Sequence, residues 1–196
     1  SMALHGKWGA GPQAFADSDV CLLVGANTLV SMWGGIPAFN PAKRLHEARQ
    51  RGLRLIVIDP RRTETARKAD LHLQCRPGHD AALLASMLQV IFAEGLQDRD
   101  FVAAETAGFE ALAAAVAPFT PARVAPLVGL PVEQIVAAAR MFAGAGRGNA
   151  TSGTGPSMAP HGVLMDYLVL ALNTVCGRWV RAGEPGFTAG EASGSD

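Results

Sequence analysis

Three short clusters hold most of the side chains in this sequence that could bind a ligand. Each cluster follows a run of apolar residues typical of a β-strand, so we predict that each lies in a loop at the end of a strand. The clusters are Gly25-Ala26-Asn27-Thr28, Asp59-Pro60-Arg61-Arg62-Thr63 and Pro77-Gly78-His79-Asp80.

The first cluster has the chemistry of a phosphate-binding loop. A glycine after a strand lets the backbone approach a ligand closely, and free N–H groups there can hold phosphate. The alternative is a tight turn in which Asn27 satisfies its own backbone. The cluster is not the Gly-x-Gly-x-x-Gly sequence of dehydrogenases, so the dinucleotide fingerprint of those enzymes is missing.

The second cluster combines a carboxylate with two guanidinium groups. Asp59 follows Ile58 at the strand end, where it can accept from a ribose hydroxyl or from the N–H groups of a base. Arg61 and Arg62 offer forked donors for phosphate or flat faces for a base. The alternative is a loop with a solvated basic pair.

The third cluster places an acidic residue where a helix begins. The carboxylate of Asp80 could pair with the N1–H and the exocyclic amine of guanine, which present two donors side by side. The alternative is an ordinary helix N-cap, a position that Asp favours. Because the carboxyl ends of parallel strands lie at one edge of a sheet, we expect the three clusters to form one nucleotide site. Gly78 of the third cluster would belong to this site together with Asp80.

A fourth stretch, Ser152-Gly153-Thr154-Gly155, either lines the same site with Thr154 and Gly155 or forms a hinge turn. The sequence lacks the Gly-x-Ser-x-Gly elbow of hydrolases and has no Cys-x-x-Cys pair. Its histidines and cysteines are too scattered to resemble a metal site. We therefore predict neither catalytic residues nor metal ligands in this chain.

The composition limits the class of protein. Hydrophobic residues make up 49% of the chain, which favours a globular fold. Lys plus Arg equals Asp plus Glu, 17 against 17, which argues against a general nucleic-acid binder because phosphate backbones require a basic excess. No apolar stretch is long enough to span a membrane. Unpaired, buried cysteines favour a reducing compartment and hence the cytoplasm.

The order of elements predicts an α/β fold, a three-layer Rossmann-like domain whose mainly parallel sheet is flanked by helices. Continuous apolar runs predict two buried strands, and alternation in a third strand places it nearer a sheet edge. The predicted strands are 20–25, 53–58 and 71–75, with a further strand and turn at 150–155. The predicted helices are 41–50, 81–94, 101–116, 121–129, 131–143 and 162–176.

Several of these segments together resemble a known family. The run from Ile58 to Ala66, followed by 69–73 and 76–84, is similar to the central segment of molybdopterin oxidoreductases, the dimethyl sulfoxide reductase superfamily that includes formate dehydrogenases and nitrate reductases. The similarity extends from about Leu4 to Gly183. Further matching segments are 23–27, 119–121, 128–131 and 139–143.

The resemblance implies that residues 1–183 hold one of two molybdopterin guanine dinucleotides in a larger enzyme, and that 184–196 form a mobile tail. It implies that Gly25 and Asn27 lie against the phosphates, that Ile58, Asp59 and Arg61 surround the guanosine, and that Asp80 faces the guanine. Gly155 would lie in a further contact loop.

The parent enzyme would carry out two-electron chemistry at Mo or W, and the isolated fragment should be inactive. The ligands of the metal and of any iron–sulfur cluster would lie upstream, so this segment would bind neither. Its partners would be the remaining domains of the parent and a small redox substrate. A periplasmic location stays open because an export signal would also lie upstream.

The sequence departs from the family pattern at three places. Thr28 replaces a frequent Pro, Met158 a frequent Gln, and Arg178-Trp179 a Gly-Asn-like pair. Two other interpretations remain at this stage. One is the central nucleotide-binding domain of a thiamine-dependent enzyme, which would prefer adenine nucleotides. The other is a non-catalytic interaction domain that binds no nucleotide.

Overall fold

A parallel sheet forms the centre of the structure, a computed structural model that describes residues 12–32, 34–181 and 184. All its strand pairs are parallel, and the spatial order is β3-β2-β1-β4. The strands are β1 (Val20–Val24), β2 (Arg54–Ile58), β3 (Leu71–Leu73) and β4 (Gly148–Ser152). The order confirms the predicted parallel α/β fold with β3 at an edge, and it reverses between β1 and β4.

Both faces of the sheet are covered. On β1, Val20, Leu22 and Val24 belong to one buried apolar cluster, whereas Cys21 and Leu23 belong to a second. Successive side chains of a strand point to opposite faces, so each cluster fills the space between the sheet and one layer of helices. The predicted three-layer arrangement is therefore confirmed.

Nine α-helices surround the sheet within the described residues. They are α1 (Thr28–Ser31), α2 (Pro41–Gln50), α3 (Asp80–Ala93), α4 (Arg99–Glu105), α5 (Phe109–Val116), α6 (Pro121–Val128), α7 (Val132–Ala143), α8 (Thr154–Ser157) and α9 (Gly162–Val175). Short 3-10 turns occur at Phe15–Asp17 and Ala66–Lys68. The larger cluster includes α3, α7 and α9, and the smaller cluster includes α2.

Several predicted boundaries were wrong. The single helix predicted over 101–116 is two helices, because Gly108 adopts a left-handed φ of 79° between α4 and α5. β3 ends at Leu73 rather than at 75, and β4 begins two residues earlier than predicted. The predicted loop after β1 contains one helical turn, α1.

The ends of the chain are described only in part. Of the predicted mobile tail, only Glu184 is described. Its carboxylate accepts a hydrogen bond of 2.8 Å from the Arg147 guanidinium. The rest of the tail and residues 1–11 lie outside the described residues, so the predicted limits of the domain stay a prediction.

Within the described ranges, no helix alone has the length and apolarity to cross a membrane. Only α5 and α6 taken together, bent by 63°, meet that criterion by length and composition.

Candidate functional site

The loops after the strands begin side by side at one edge of the sheet. The Gly25 amide donates to the carbonyl of Ile58 at 2.7 Å, and the Gly153 amide donates to that of Val24 at 2.8 Å. The Asp59 amide likewise donates to Leu73 O at 3.1 Å. Strand pairing therefore continues into the loops, and the predicted meeting of these loops at one edge is observed.

Gly25 and Gly153 hold two of these loops in close contact where the strand order reverses. Gly25 has a φ of +60°, and a Cβ atom on it would lie 2.3 Å from two ring carbons of Pro156. A Cβ atom on Gly153 would lie 2.2 Å from the Gly25 carbonyl oxygen. Ordinary carbon contacts are near 3.5–4 Å, so only glycine fits at either position. The two loops therefore pack closely against each other at the switch point, where open α/β sheets bind ligands.

The side chain of Asn27 joins the loop after β1 to the loop after β2. Its Nδ2 donates to Glu64 Oε2 at 2.8 Å, and its Oδ1 accepts from the Thr65 hydroxyl at 2.8 Å and from the Thr65 amide at 3.2 Å. The carbonyl of this side chain is thus fully used within the protein. The predicted phosphate contact of Asn27 remains available only through its backbone or its second amide hydrogen.

The loop after β2 is held by a buried carboxylate. Asp59 is 9% exposed, and its Oδ1 accepts from the Arg61 amide at 2.8 Å. The Gln74 side chain donates to the Pro60 carbonyl at 2.8 Å, so the exit turn is tied to the chain after β3. Arg61 and Arg62 are exposed, and within the described part of the chain neither guanidinium donates a hydrogen bond. Two exposed cationic side chains therefore stand on a fixed turn.

Asp80 lies at the first position of α3, whose N-cap is His79, so the predicted N-cap alternative is wrong for Asp80. Gly78 precedes it with a φ of +80°, which favours glycine. Asp80 is only 8% exposed, and burial raises the pKa of its carboxyl above the usual value. The Asp59 charge raises that pKa further.

The strand predicted within 150–155 is β4, whereas the predicted turn after it is the helical turn α8. Thr154 and Gly155 are exposed there, and a Cβ atom on Gly155 would meet nothing within 4 Å. Asp166 on α9 fixes this segment, because its Oδ1 accepts from the hydroxyls of Ser152 at 2.6 Å and Ser157 at 3.2 Å.

Besides Asp59 and Asp80, which are also buried, four predicted site residues have buried side chains. Thr28 donates its hydroxyl to Gly34 O at 2.7 Å, and the Thr63 hydroxyl accepts from the Ala66 amide at 3.1 Å. The four are Ala26, Thr28, Ile58 and Thr63.

The cysteines have the properties of core residues. All three are buried, and burial raises the pKa of each thiol to about 12. In residues 12–32, 34–181 and 184, no three His, Cys, Asp or Glu side chains are grouped in a way that could hold a metal ion.

The edge thus combines closely packed backbone loops, two guanidinium groups and two buried carboxyls. These groups suit the diphosphate, the ribose and the base of a nucleotide. Prediction from the sequence missed Glu64, Thr65 and Asp166. The first two lie directly after the predicted cluster at 59–63, but nothing in their spacing indicates a bond to Asn27.

Comparisons with known proteins agree with the resemblance noted in the sequence. Residues 7–169 match the family model described as molybdopterin oxidoreductase. The chain is 35% identical over 146 residues to the F420-dependent formate dehydrogenase subunit alpha of Methanocaldococcus jannaschii, covering 74% of this chain and 21% of that protein. It is 38% identical over 144 residues to formate dehydrogenase H of Escherichia coli, covering 71% and 19%.

A solved structure shows the same fold. Acetylene hydratase from Pelobacter acetylenicus matches with a TM-score of 0.80 and 31% identity over 94% of this chain and 24% of that chain. The chain therefore spans about a fifth to a quarter of the relatives that it matches.

Proposed function

Because the chain belongs to the molybdopterin oxidoreductase family, we propose that it is the part of a larger molybdenum or tungsten oxidoreductase that holds one molybdopterin guanine dinucleotide. The observation that carries this proposal is the meeting of three loops at one sheet edge, with two buried carboxyls and two exposed guanidinium groups among them. A pterin nucleotide offers complementary groups to each of these.

The diphosphate would lie against the backbone of the loops that follow Gly25 and Gly153, with Arg61 and Arg62 supplying positive charge. Backbone amides at a glycine turn and forked guanidinium donors are the usual partners of phosphate oxygens. Thr154 and Gly155 are exposed directly after Gly153 and would contribute from α8.

The guanosine half would be recognised by the carboxyl pair. Asp80 would accept from the N1–H and the amine of guanine, and Asp59 would accept from a ribose hydroxyl. Burial opposes the charge of Asp80 in the protein alone, and two donors from a base would compensate for that cost. Adenine has no N1–H donor, so this carboxylate favours guanine.

The bound metal cofactor would supply the two-electron chemistry, and this chain would supply orientation. The relatives of this chain support such a division, because formate dehydrogenase, nitrate reductase and acetylene hydratase differ in reaction yet share this segment. A segment common to such different enzymes is better suited to holding a shared cofactor than to selecting a substrate. Alone, the chain should not turn over substrates with redox dyes.

Calorimetry with GDP, ADP and two aspartate variants tests the proposal. We expect GDP to bind more tightly than ADP, and Asp80→Ala to lower GDP affinity about tenfold or more, because hydrogen bonds to charged groups contribute about 1.5–3 kcal/mol. Asp100→Ala is the matched control, since Asp100 is an exposed carboxylate in the first turn of α4.

Each alternative interpretation predicts a different result in the same experiment. ADP binding at least as tightly as GDP would favour a thiamine-enzyme type of domain. Absence of binding by either nucleotide would favour an interaction domain.

A further inference from the structure

The contacts of Thr65 are unusual for a residue beside a candidate ligand site. Its side chain is fully buried, and its hydroxyl donates to Asn27 Oδ1 at 2.8 Å while accepting from the Leu29 amide at 3.1 Å. The Thr65 amide also donates to Asn27 Oδ1 at 3.2 Å. Asn27 and Thr65, which we call the Asn27–Thr65 clamp, are therefore connected by two direct hydrogen bonds, and Leu29 adds a third bond to the same hydroxyl.

The clamp joins two loops that are otherwise connected mainly through their strands. The loop after β1 continues into the single turn α1, and the loop after β2 continues into the 3-10 turn at 66–68. Glu64 extends the link, because its carboxylate accepts from Asn27 Nδ2 at 2.8 Å. A backbone hydrogen bond and the Asn27 bond lower the pKa of Glu64, so this acceptor is charged at neutral pH.

In the proposed function, both loops contact one ligand. The first loop and the arginines of the second face the diphosphate, and Asp59 of the second faces the ribose. When two binding groups act on a single molecule, the gain from joining them depends on how well their spacing is fixed. A link between the loops would therefore affect ligands that contain the diphosphate more than guanosine, which the first loop does not contact.

We propose that the Asn27–Thr65 clamp sets the spacing of the two loops, so that Asn27 is a positioning residue and its side chain is not a phosphate ligand. This inference rests on the proposed function for the identity of the ligand. Because the Thr65 side chain is fully buried, it does not touch the ligand. Any effect of a Thr65 substitution on ligand affinity must therefore act through the position of the loops.

The test compares Thr65→Val with Thr65→Ser, using guanosine, inorganic pyrophosphate and GDP as probes. Valine keeps the shape but removes the hydroxyl, whereas serine keeps the hydroxyl. We expect Thr65→Val and Asn27→Ala to lower the affinities for GDP and pyrophosphate about tenfold, while the affinity for guanosine stays within about twofold, because only the diphosphate would contact both loops. Thr65→Ser should bind GDP as the unaltered chain does.

Thr106→Val is the matched control, because among the described residues the Thr106 hydroxyl donates only to the carbonyl of Val102 in the preceding helix α4, at 2.7 Å. It should leave the affinity for all three probes unchanged. Thermal melts of each variant establish that the affinities are compared between folded proteins.

Hydrogen exchange supplies a readout that needs no ligand. Loss of the clamp should speed exchange of the amides in 27–31 and 59–66 about tenfold in Thr65→Val but not in Thr65→Ser or Thr106→Val. If the unaltered chain binds none of the probes, the proposed function fails. The exchange result alone then shows whether the Asn27–Thr65 clamp holds the two loops.

Two results would overturn the inference. One is Thr65→Val binding GDP like the unaltered chain, or exchanging like Thr65→Ser. The other is Asn27→Ala losing pyrophosphate affinity that Thr65→Val retains, which would make the Asn27 side chain a direct ligand.

Discussion

Replacing Gly25 with alanine should damage the contact between the loops after β1 and β4. The φ of +60° alone costs a non-glycine residue about 1–2 kcal/mol. The new methyl group would also overlap Pro156, since the two ring carbons lie 2.3 Å from its position, and overpacking of this kind costs about 1–3 kcal/mol. We expect the free energy of unfolding to fall by about 2–5 kcal/mol.

Thermal denaturation measures the effect. At about 2–4 °C per kcal/mol for a domain of this size, the midpoint should fall by roughly 5–15 °C. Gly155→Ala is the control, because Gly155 has open space around it and lacks a positive φ. That variant should stay within about 0.5 kcal/mol of the unaltered chain. A Gly25→Ala protein as stable as Gly155→Ala would refute the reasoning about this contact.

Three further predictions concern charge. Burial raises the pKa of Asp80, so ionisation of its carboxyl opposes folding, and Asp80→Asn should be more stable than the unaltered chain at pH 7. This gain in stability should shrink as the pH falls toward 3.8, the ordinary pKa of Asp. Urea unfolding at several pH values measures it, and a gain that is independent of pH would contradict the prediction. Arg178 is buried and donates to several backbone carbonyls at the end of α7, including Phe142 O at 2.8 Å. Arg178→Met should therefore lower the free energy of unfolding by about 2–4 kcal/mol, as measured by chemical denaturation. An unchanged midpoint would show that the carbonyls find other donors. The double variant Arg61→Gln and Arg62→Gln should keep the melting temperature of the unaltered chain but bind pyrophosphate about tenfold more weakly. Its affinity should also depend less on salt concentration. The same salt dependence as that of the unaltered chain would exclude these arginines from the site.

The strands could be predicted because burial on both faces leaves a clear pattern. Val20–Val24 is apolar at every position and lies at the centre of the sheet, whereas β3 alternates and lies at an edge. The position of the loops followed from the parallel arrangement. Helix breaks were less predictable, because the glycine that separates α4 from α5 stands in a sequence otherwise compatible with one helix.

The partners of individual side chains could not be predicted from the sequence. Asn27 has the composition of a phosphate-loop residue, but its hydrogen bonds go to residues 37 and 38 positions later. Thr28 and Thr63 are polar and lie in the correct loops, yet their hydroxyls are used by the backbone. Such pairings depend on how two loops meet in space, which spacing along the chain does not determine.

The partners of Arg178 could not be predicted either. We expected this residue to differ from the family pattern, but the sequence did not indicate what its side chain contacts. The guanidinium lies 5.6 Å from the centre of the Phe142 ring and donates to carbonyls at the end of α7. A buried charge thus completes the hydrogen bonding of a helix end.

The carboxyl edge of the sheet is proposed to bind a guanine nucleotide. An NMR titration of the isotopically labelled chain with GDP and ADP tests this proposal most directly, because chemical shifts report even weak binding. We predict shift changes confined to the amides of 25–29, 59–63, 78–80 and 153–155, with a smaller response to ADP. Changes that are absent, lie elsewhere on the protein, or are equal for the two nucleotides would contradict it.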